Sequence, residues 1–176
     1  MTLVMVERFF ETPREYAEVQ AMEQGAAFCL TTHRVKPLRS FLSSDRKHMV
    51  CLYEAPDAES VRKTQRTAEL PVSHLWAAGV IVQRDEPMKP GYSIVVAQRA
   101  MSPSVTLEFV QQKAAESASC EDRLRIRHIA AYLSFDGSRM CCIYSSPDIE
   151  SVRVSNRENG VPAERWWSAT RFDAAG

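Results

Sequence analysis

The sequence predicts an α+β protein built from two tandem ferredoxin-like βαββαβ units, paired within one chain in a dimeric α/β-barrel-like arrangement. Three observations predict it. The stretch CLYEAPDAESVR, from Cys51 to Arg62, returns as CIYSSPDIESVR from Cys142 to Arg153. One shift of 91 positions, with no insertion, pairs Arg8 with Arg99, Cys29 with Cys120 and Trp76 with Trp167, and leaves 15 of the 35 positions from Leu42 to Trp76 identical. Within each copy the apolar spacing alternates between the two-residue period of a strand and the longer period of a helix, in the order strand, helix, strand, strand, helix, strand.

The elements follow in that order. LVMVERFF reads as the first strand. Thr12-Pro13-Arg14-Glu15 supplies an N-cap, a proline at the first helical position and a glutamate placed for a capping box, so a helix is expected from there to near Thr32 with Tyr16, Val19 and Met22 on one face. KPLRSFLSS and KHMVCLYEA form a hairpin around Ser44-Asp45-Arg46, and its second copy turns on Asp136-Gly137. Asp57 and Asp148, each after a proline, cap the second helix of each unit, and Gly160 suits the left-handed residue that closes the later one. SHLWAAGVIV and ERWWSATRF are the final strands. Pro87, Pro90 and Gly91 interrupt both periods, giving a first repeat over 1–83, a linker over 84–91 and a second repeat over 92–176.

Two helices on one face of a four-stranded sheet leave the other face bare, and pairing two such faces removes them from water. Strand alternation assigns side chains to the two faces. The expectation places Val50 and Leu52, with Cys141 and Ile143, under the helices. It places Met49, Cys51 and Tyr53, with Met140, Cys142 and Tyr144, on the bare face. In the first strand Val4 and Val6 go under the helices, leaving Met5, Glu7 and Phe9 on the bare face, with Ile94, Val96 and Gln98 opposite them in the second copy. Glu7, Cys51, Tyr53 and Trp76 then come together. A carboxylate in an enclosed apolar site has its charged form disfavoured and is a candidate acid or base, so Glu7 and Tyr53 are the expected catalytic residues. Met49, Cys51, Trp76, Gln98, Cys142, Tyr144 and Trp167 are the expected ligand-binding set. The competing readings are a rim ion pair of Glu7 with its neighbour Arg8, and tyrosines and tryptophans that fill a core. Gln65 and Asn156 stand in register on the buried side of the second helix, as expected of a hydrogen-bond network.

Composition excludes several classes. Basic and acidic residues are both 22, in no long block, so nucleic acid and anionic membrane are not expected partners. No apolar run approaches the ~20 residues of a spanning helix, and a cytoplasmic protein is expected. Five cysteines at odd count and without C-x-x-C spacing read as reduced, mostly buried thiols. Six glycines form no phosphate-binding loop. None of the four histidines has helical metal-pair spacing, and His48 and His74 are the pair that cross-strand proximity would make metal ligands.

The pattern C-x-Y-x-A-P-D-x-E-x-V-R, a following Leu-Pro turn, a Trp-bearing strand and the V-E-R of the first strand resemble the bacterial nickel-binding-protein-like domain family of unknown function. The resemblance covers both repeats and implies a ferredoxin-like fold that pairs its sheets. Family members often carry a histidine ahead of Ser-Tyr in the second strand and another in the second helix. Here Arg39 and Thr64 stand at those places in the first copy, and Ala130 and Ser155 in the second. No cofactor is expected, and nickel or another transition metal is the one that the resemblance would supply. The functional expectation is a small-molecule binding protein with its site between the sheets, or less readily a metal binder. A homodimer of the duplicated chain is a further partner option. The alternatives are a cofactor-independent isomerase, cyclase or lyase using Glu7, and a purely structural module.

Overall fold

The computed structural model describes residues 1–174. Eight strands and five helices follow in the order β1 (Thr2–Phe9), α1 (Tyr16–Gly25), α2 (Ala27–Thr32), β2 (Lys36–Ser43), β3 (His48–Ala55), α3 (Ala58–Thr67), β4 (His74–Gln83), β5 (Ser93–Ala100), α4 (Leu107–Arg123), β6 (Arg127–Ser134), β7 (Arg139–Ser146), α5 (Ile149–Glu158) and β8 (Arg165–Asp173). The α+β class and the twofold βαββαβ order are those expected.

The chain divides into two compact units. Of the described residues, unit 1 comprises 1–78 and 170–174, and unit 2 comprises 79–169. These limits differ from the expected 1–83 and 92–176, because β4 and β8 each change unit midway, at equivalent positions of the repeat. In unit 1, β1 pairs antiparallel with β3 and β4, and β3 with β2. In unit 2, β5 pairs antiparallel with β7 and β8, and β7 with β6.

The first helix begins later than expected. Thr12-Pro13 lies outside it, and the capping box is formed by Glu15 and Glu18, whose side chain accepts from the Glu15 backbone N–H at 2.9 Å. That helix also breaks at Ala26, whereas its second copy, α4, runs unbroken from a Thr106 cap. The second helices are capped as expected: Asp57 and Asp148 accept from the N–H groups of Ser60 and Ser151, each at 2.7 Å.

The face assignment is half right. Residues directly opposite in an antiparallel pair share a face, and the register sets Tyr53 against Val4, Cys51 against Val6 and Met49 against Arg8. All of these except Arg8 belong to the helix-side core with Val19, Val61 and Leu70. Val50 and Leu52 oppose Glu7 and Met5, and so lie on the other face. β1 was therefore placed correctly and β3 inverted. The same holds in unit 2, where Cys142, Tyr144 and Met140 pack with Val95 and Ala97 under α4 and α5. Aliphatic composition was the wrong guide for β3, because its tyrosine must reach polar groups in the helix layer.

Candidate binding site

Arg8 and Arg99, at equivalent positions of β1 and β5, are each only 2% exposed. Strand alternation carries them onto the helix side, where the end of the second helix and the turn after it supply their partners. In unit 1, Arg8 donates from Nη1 to the Pro71 carbonyl at 2.9 Å, and from Nη2 to Gln65 at 2.5 Å and to the Tyr53 hydroxyl at 3.0 Å. Glu23 of α1 completes the cluster: it accepts from the Tyr53 hydroxyl, and its Oε1 stands 3.9 Å from Arg8 Nη2. Burial is the largest cause holding the Tyr53 hydroxyl well above its ordinary range, so it stays a donor.

Unit 2 repeats the frame and lacks the carboxylate. Gly160, at φ 66°, reverses the chain after α5, and the Val161 carbonyl accepts from Arg99 Nε at 3.2 Å. Arg99 Nη2 donates to Asn156 Oδ1 at 2.5 Å and to the Tyr144 hydroxyl at 3.5 Å. Asn156 Oδ1 also accepts from Trp166 Nε1 at 2.9 Å. Arg99 Nη1 is buried with no hydrogen-bond partner. Arg99 is also one wall of a cavity of about 40 Å³, whose lining includes His128, Cys142, Tyr144 and Asn156. At roughly 10–15 Å³ per water, that space holds a group of about three heavy atoms. Phe109, 41% exposed, and Lys113 also border it and reach the surface.

The electrostatics of this pocket are those of a cation in a poorly solvated place. His128 stacks on Tyr144 with ring centroids 4.5 Å apart, and its Nε2 is buried without a partner. Its pKa is pushed down to about 3, first by burial and then by the charges of Arg99 and Arg84, so the imidazole is neutral near pH 7. Burial likewise raises the Cys142 thiol and the Tyr144 hydroxyl, keeping both protonated. Glu121 also lines the space; it accepts from the Ser117 hydroxyl at 3.3 Å, stands 4.0 Å from His128 Nδ1, and is raised in pKa chiefly by burial. Among the described residues, no carboxylate comes within ion-pair distance of Arg99. A buried polar group left without a partner costs about 1–3 kcal/mol, and a charged one more. The pocket therefore favours an occupant that offers an acceptor to Nη1.

The residues expected from the sequence separate into two groups. Met49, Cys51 and Tyr53, with Cys142 and Tyr144, are on the helix side. Glu7, Trp76, Gln98 and Trp167 are on the other: Trp76 Nε1 donates to Glu7 at 2.7 Å, and Trp167 Nε1 to Gln98 at 2.8 Å. Glu7 and Tyr53 thus lie on opposite faces of the sheet and are not brought together. Arg99, His128 and Ala114 were missed. The available signal was Arg8 and Arg99, a charge that falls twice on an apolar alternation in register with Tyr53/Tyr144 and Gln65/Asn156.

With this geometry in hand, comparison with known proteins gives the lineage. The family model described as "Nickel responsive protein SCO4226-like" matches residues 5–77 and again 96–168. The chain belongs to this family. SCO4226-like membership of both segments is the duplication that the repeated dodecapeptide announces. No curated protein matches the chain. Among solved structures, a mutant chlorite dismutase from Candidatus Nitrospira defluvii in complex with cyanide is 10% identical, with a TM-score of 0.54 over 97% of this chain and 90% of that one. An anthrone oxidase-like protein is also 10% identical, with a TM-score of 0.51 over 99% and 94%. Likeness at that identity shows a shared fold, the tandem ferredoxin-like class of the dimeric α/β barrels.

Nickel is the metal that the family's name implies, and the residues here do not fit it. Among the described residues no three His, Cys, Asp or Glu side chains converge. The expected ligands stand apart from any such cluster: His74 Nδ1 lies 3.9 Å from Glu7, and the His48 ring sits 5.2 Å from that of Phe9. A two-donor carboxylate–imidazole pair falls short of the ligand number that first-row metals require. Among the described residues no helix is long and apolar enough to cross a membrane.

Proposed function

We propose that the protein binds a small polar molecule in unit 2, in the cavity between the sheet and helices α4 and α5. The reading keeps Cys142 and Tyr144 of the expected ligand-binding set and moves the site to the helix side of the sheet. The observation that carries it is the buried Arg99 side chain, which lines a cavity and has Nη1 unpartnered. A guanidinium stays charged at any physiological pH and offers its donors in a fixed fork, so it selects an acceptor-bearing ligand. Tyr144 and His128 add a donor and a neutral imidazole. The general proposal of small-molecule binding agrees with the fold neighbours, of which one was solved with cyanide.

The test is differential scanning fluorimetry of the full chain against a panel of small acids, amides, alcohols and amines, read together with its visible absorption spectrum for any co-purified cofactor. Arg99→Lys is expected to weaken the strongest stabilising ligand at least ~10-fold, whereas Arg8→Lys, in the other unit, leaves it unchanged. A ligand response that survives Arg99→Lys intact contradicts the proposal.

A further inference from the structure

The two repeats are each other's control. In unit 1 the Arg–Tyr cluster has its own carboxylate: Glu23 accepts a hydrogen bond from the Tyr53 hydroxyl and lies 3.9 Å from Arg8 Nη2, while Arg8 Nε is the nitrogen left without a partner. The shift of 91 positions puts Ala114 where Glu23 stands. Ala114 lines the cavity beside Arg99. What unit 2 lacks, compared with unit 1, is one carboxylate on a short stem, and the alanine in its place borders a space of about 40 Å³.

We infer that the ligand of unit 2 is a small carboxylate, whose –COO⁻ takes the place that the Glu23 side chain fills in unit 1. The donors left over in unit 2 match that chemistry. Arg99 Nη1 has no partner. Both hydrogen bonds reaching the Tyr144 hydroxyl, from Arg99 Nη2 and from Asn156 Nδ2 at 3.3 Å, end on its oxygen and leave its proton to give. In unit 1 the corresponding hydroxyl donates to Glu23. The ligand carboxylate then accepts from Tyr144 and Arg99, an arrangement in which hydrogen bonds to a charged group are roughly twice as strong as neutral ones. The cavity admits the acid group itself, and the carbon chain beyond it leaves past Phe109 and Lys113. Glu121 keeps Ser117 and His128 as neighbours and stays out of Arg99's reach. Residue 23 or 114 is thus the position that decides whether a repeat is closed by its own side chain or by a solute.

This inference rests on the unit 2 site proposed above, and the experiment separates the two. The isotope-labelled full chain is titrated with sodium acetate and sodium propionate, and in parallel with acetamide and propionamide, following the Arg99 Nε–H resonance by NMR. The acids are expected to bind in the millimolar range and at least ~10-fold more tightly than the amides. Ala114→Glu is expected to abolish the acid response while raising the thermal midpoint, because it supplies Arg99 with the counter-ion that Arg8 already has. Glu23→Ala is expected to open a second acid-binding site reported by Arg8, and if that variant does not fold, Ala114→Glu decides alone. Equal binding of acid and amide overturns the carboxylate and leaves the unit 2 site standing. An Arg99 resonance that no probe moves removes both. An Ala114→Glu protein that binds propionate as the parent does, or that is less stable than the parent, overturns the equivalence of Glu23 and ligand.

Discussion

At the scale of single residues, the pocket should leave a mark on stability against pH. The unfolded His128 titrates near the ordinary value of about 6.5, while the folded one is held down to about 3 by burial and then by the charges of Arg99 and Arg84. Between those values the unfolded chain binds a proton that the folded chain does not, so the contribution is fully present above about pH 6.5 and is lost as pH falls toward about 3. Its slope is at most about 1.4 kcal/mol per pH unit. Glu121, raised by burial, has the opposite sign: its contribution is present at low pH and lost as pH rises. Because Glu121 is common to parent and His128→Gln, the difference between their chemical-denaturation midpoints at about pH 7 and about pH 5 isolates the histidine. The parent should lose more stability than the variant on acidification, and parallel losses would contradict a buried neutral His128. Sequence could not show this residue: His128 has Pro37 as its counterpart, and its burial depends on stacking against Tyr144 from a neighbouring strand.

At the scale of elements, the turns and caps carry most of what was legible, because each depends on neighbours within a few positions. Asp57, Asp148 and Gly160 act as their local chemistry dictates. The β6–β7 hairpin makes the same logic testable through the repeat. Gly137 has φ 71°, and a Cβ there would lie 2.1 Å from the Val105 carbonyl oxygen. Its counterpart in the β2–β3 hairpin, Arg46, already adopts φ 60° with a full side chain. Gly137→Ala should cost about 2 kcal/mol or more in urea unfolding, while Arg46→Gly should stay within about 1 kcal/mol. Similar small effects at both would mean that the second hairpin is not pressed against Val105. The inverted face of β3 shows where local reading stops. Period two fixes which residues share a face, and only the pairing with β1 fixes which face that is. The start of the first helix failed for a related reason, since two capping boxes compete in one short stretch and the one closed by Glu18 wins.

At the scale of the whole molecule, the duplication was readable from spacing and identity alone, and the family from the resemblance that the C-x-Y-x-A-P-D-x-E-x-V-R pattern carries. The unit limits within β4 and β8 were not, because they depend on long-range contacts and not on local spacing. The duplication also explains how a site can arise without a new motif. Both repeats keep the buried arginine, the tyrosine and the amide; unit 1 adds its own carboxylate, and unit 2 has an alanine in its place. The pocket is therefore visible in the sequence as a missing residue, which no motif search registers and only an internal alignment read together with the Arg8 cluster reveals. The most direct test of the account is a high-resolution crystal structure of tag-free protein, refined with attention to density beside Arg99 Nη1. The account predicts a bound solute whose acceptor atom lies within about 3 Å of that nitrogen. A guanidinium satisfied by an inward-turned Glu121, with the cavity collapsed around it, would contradict it.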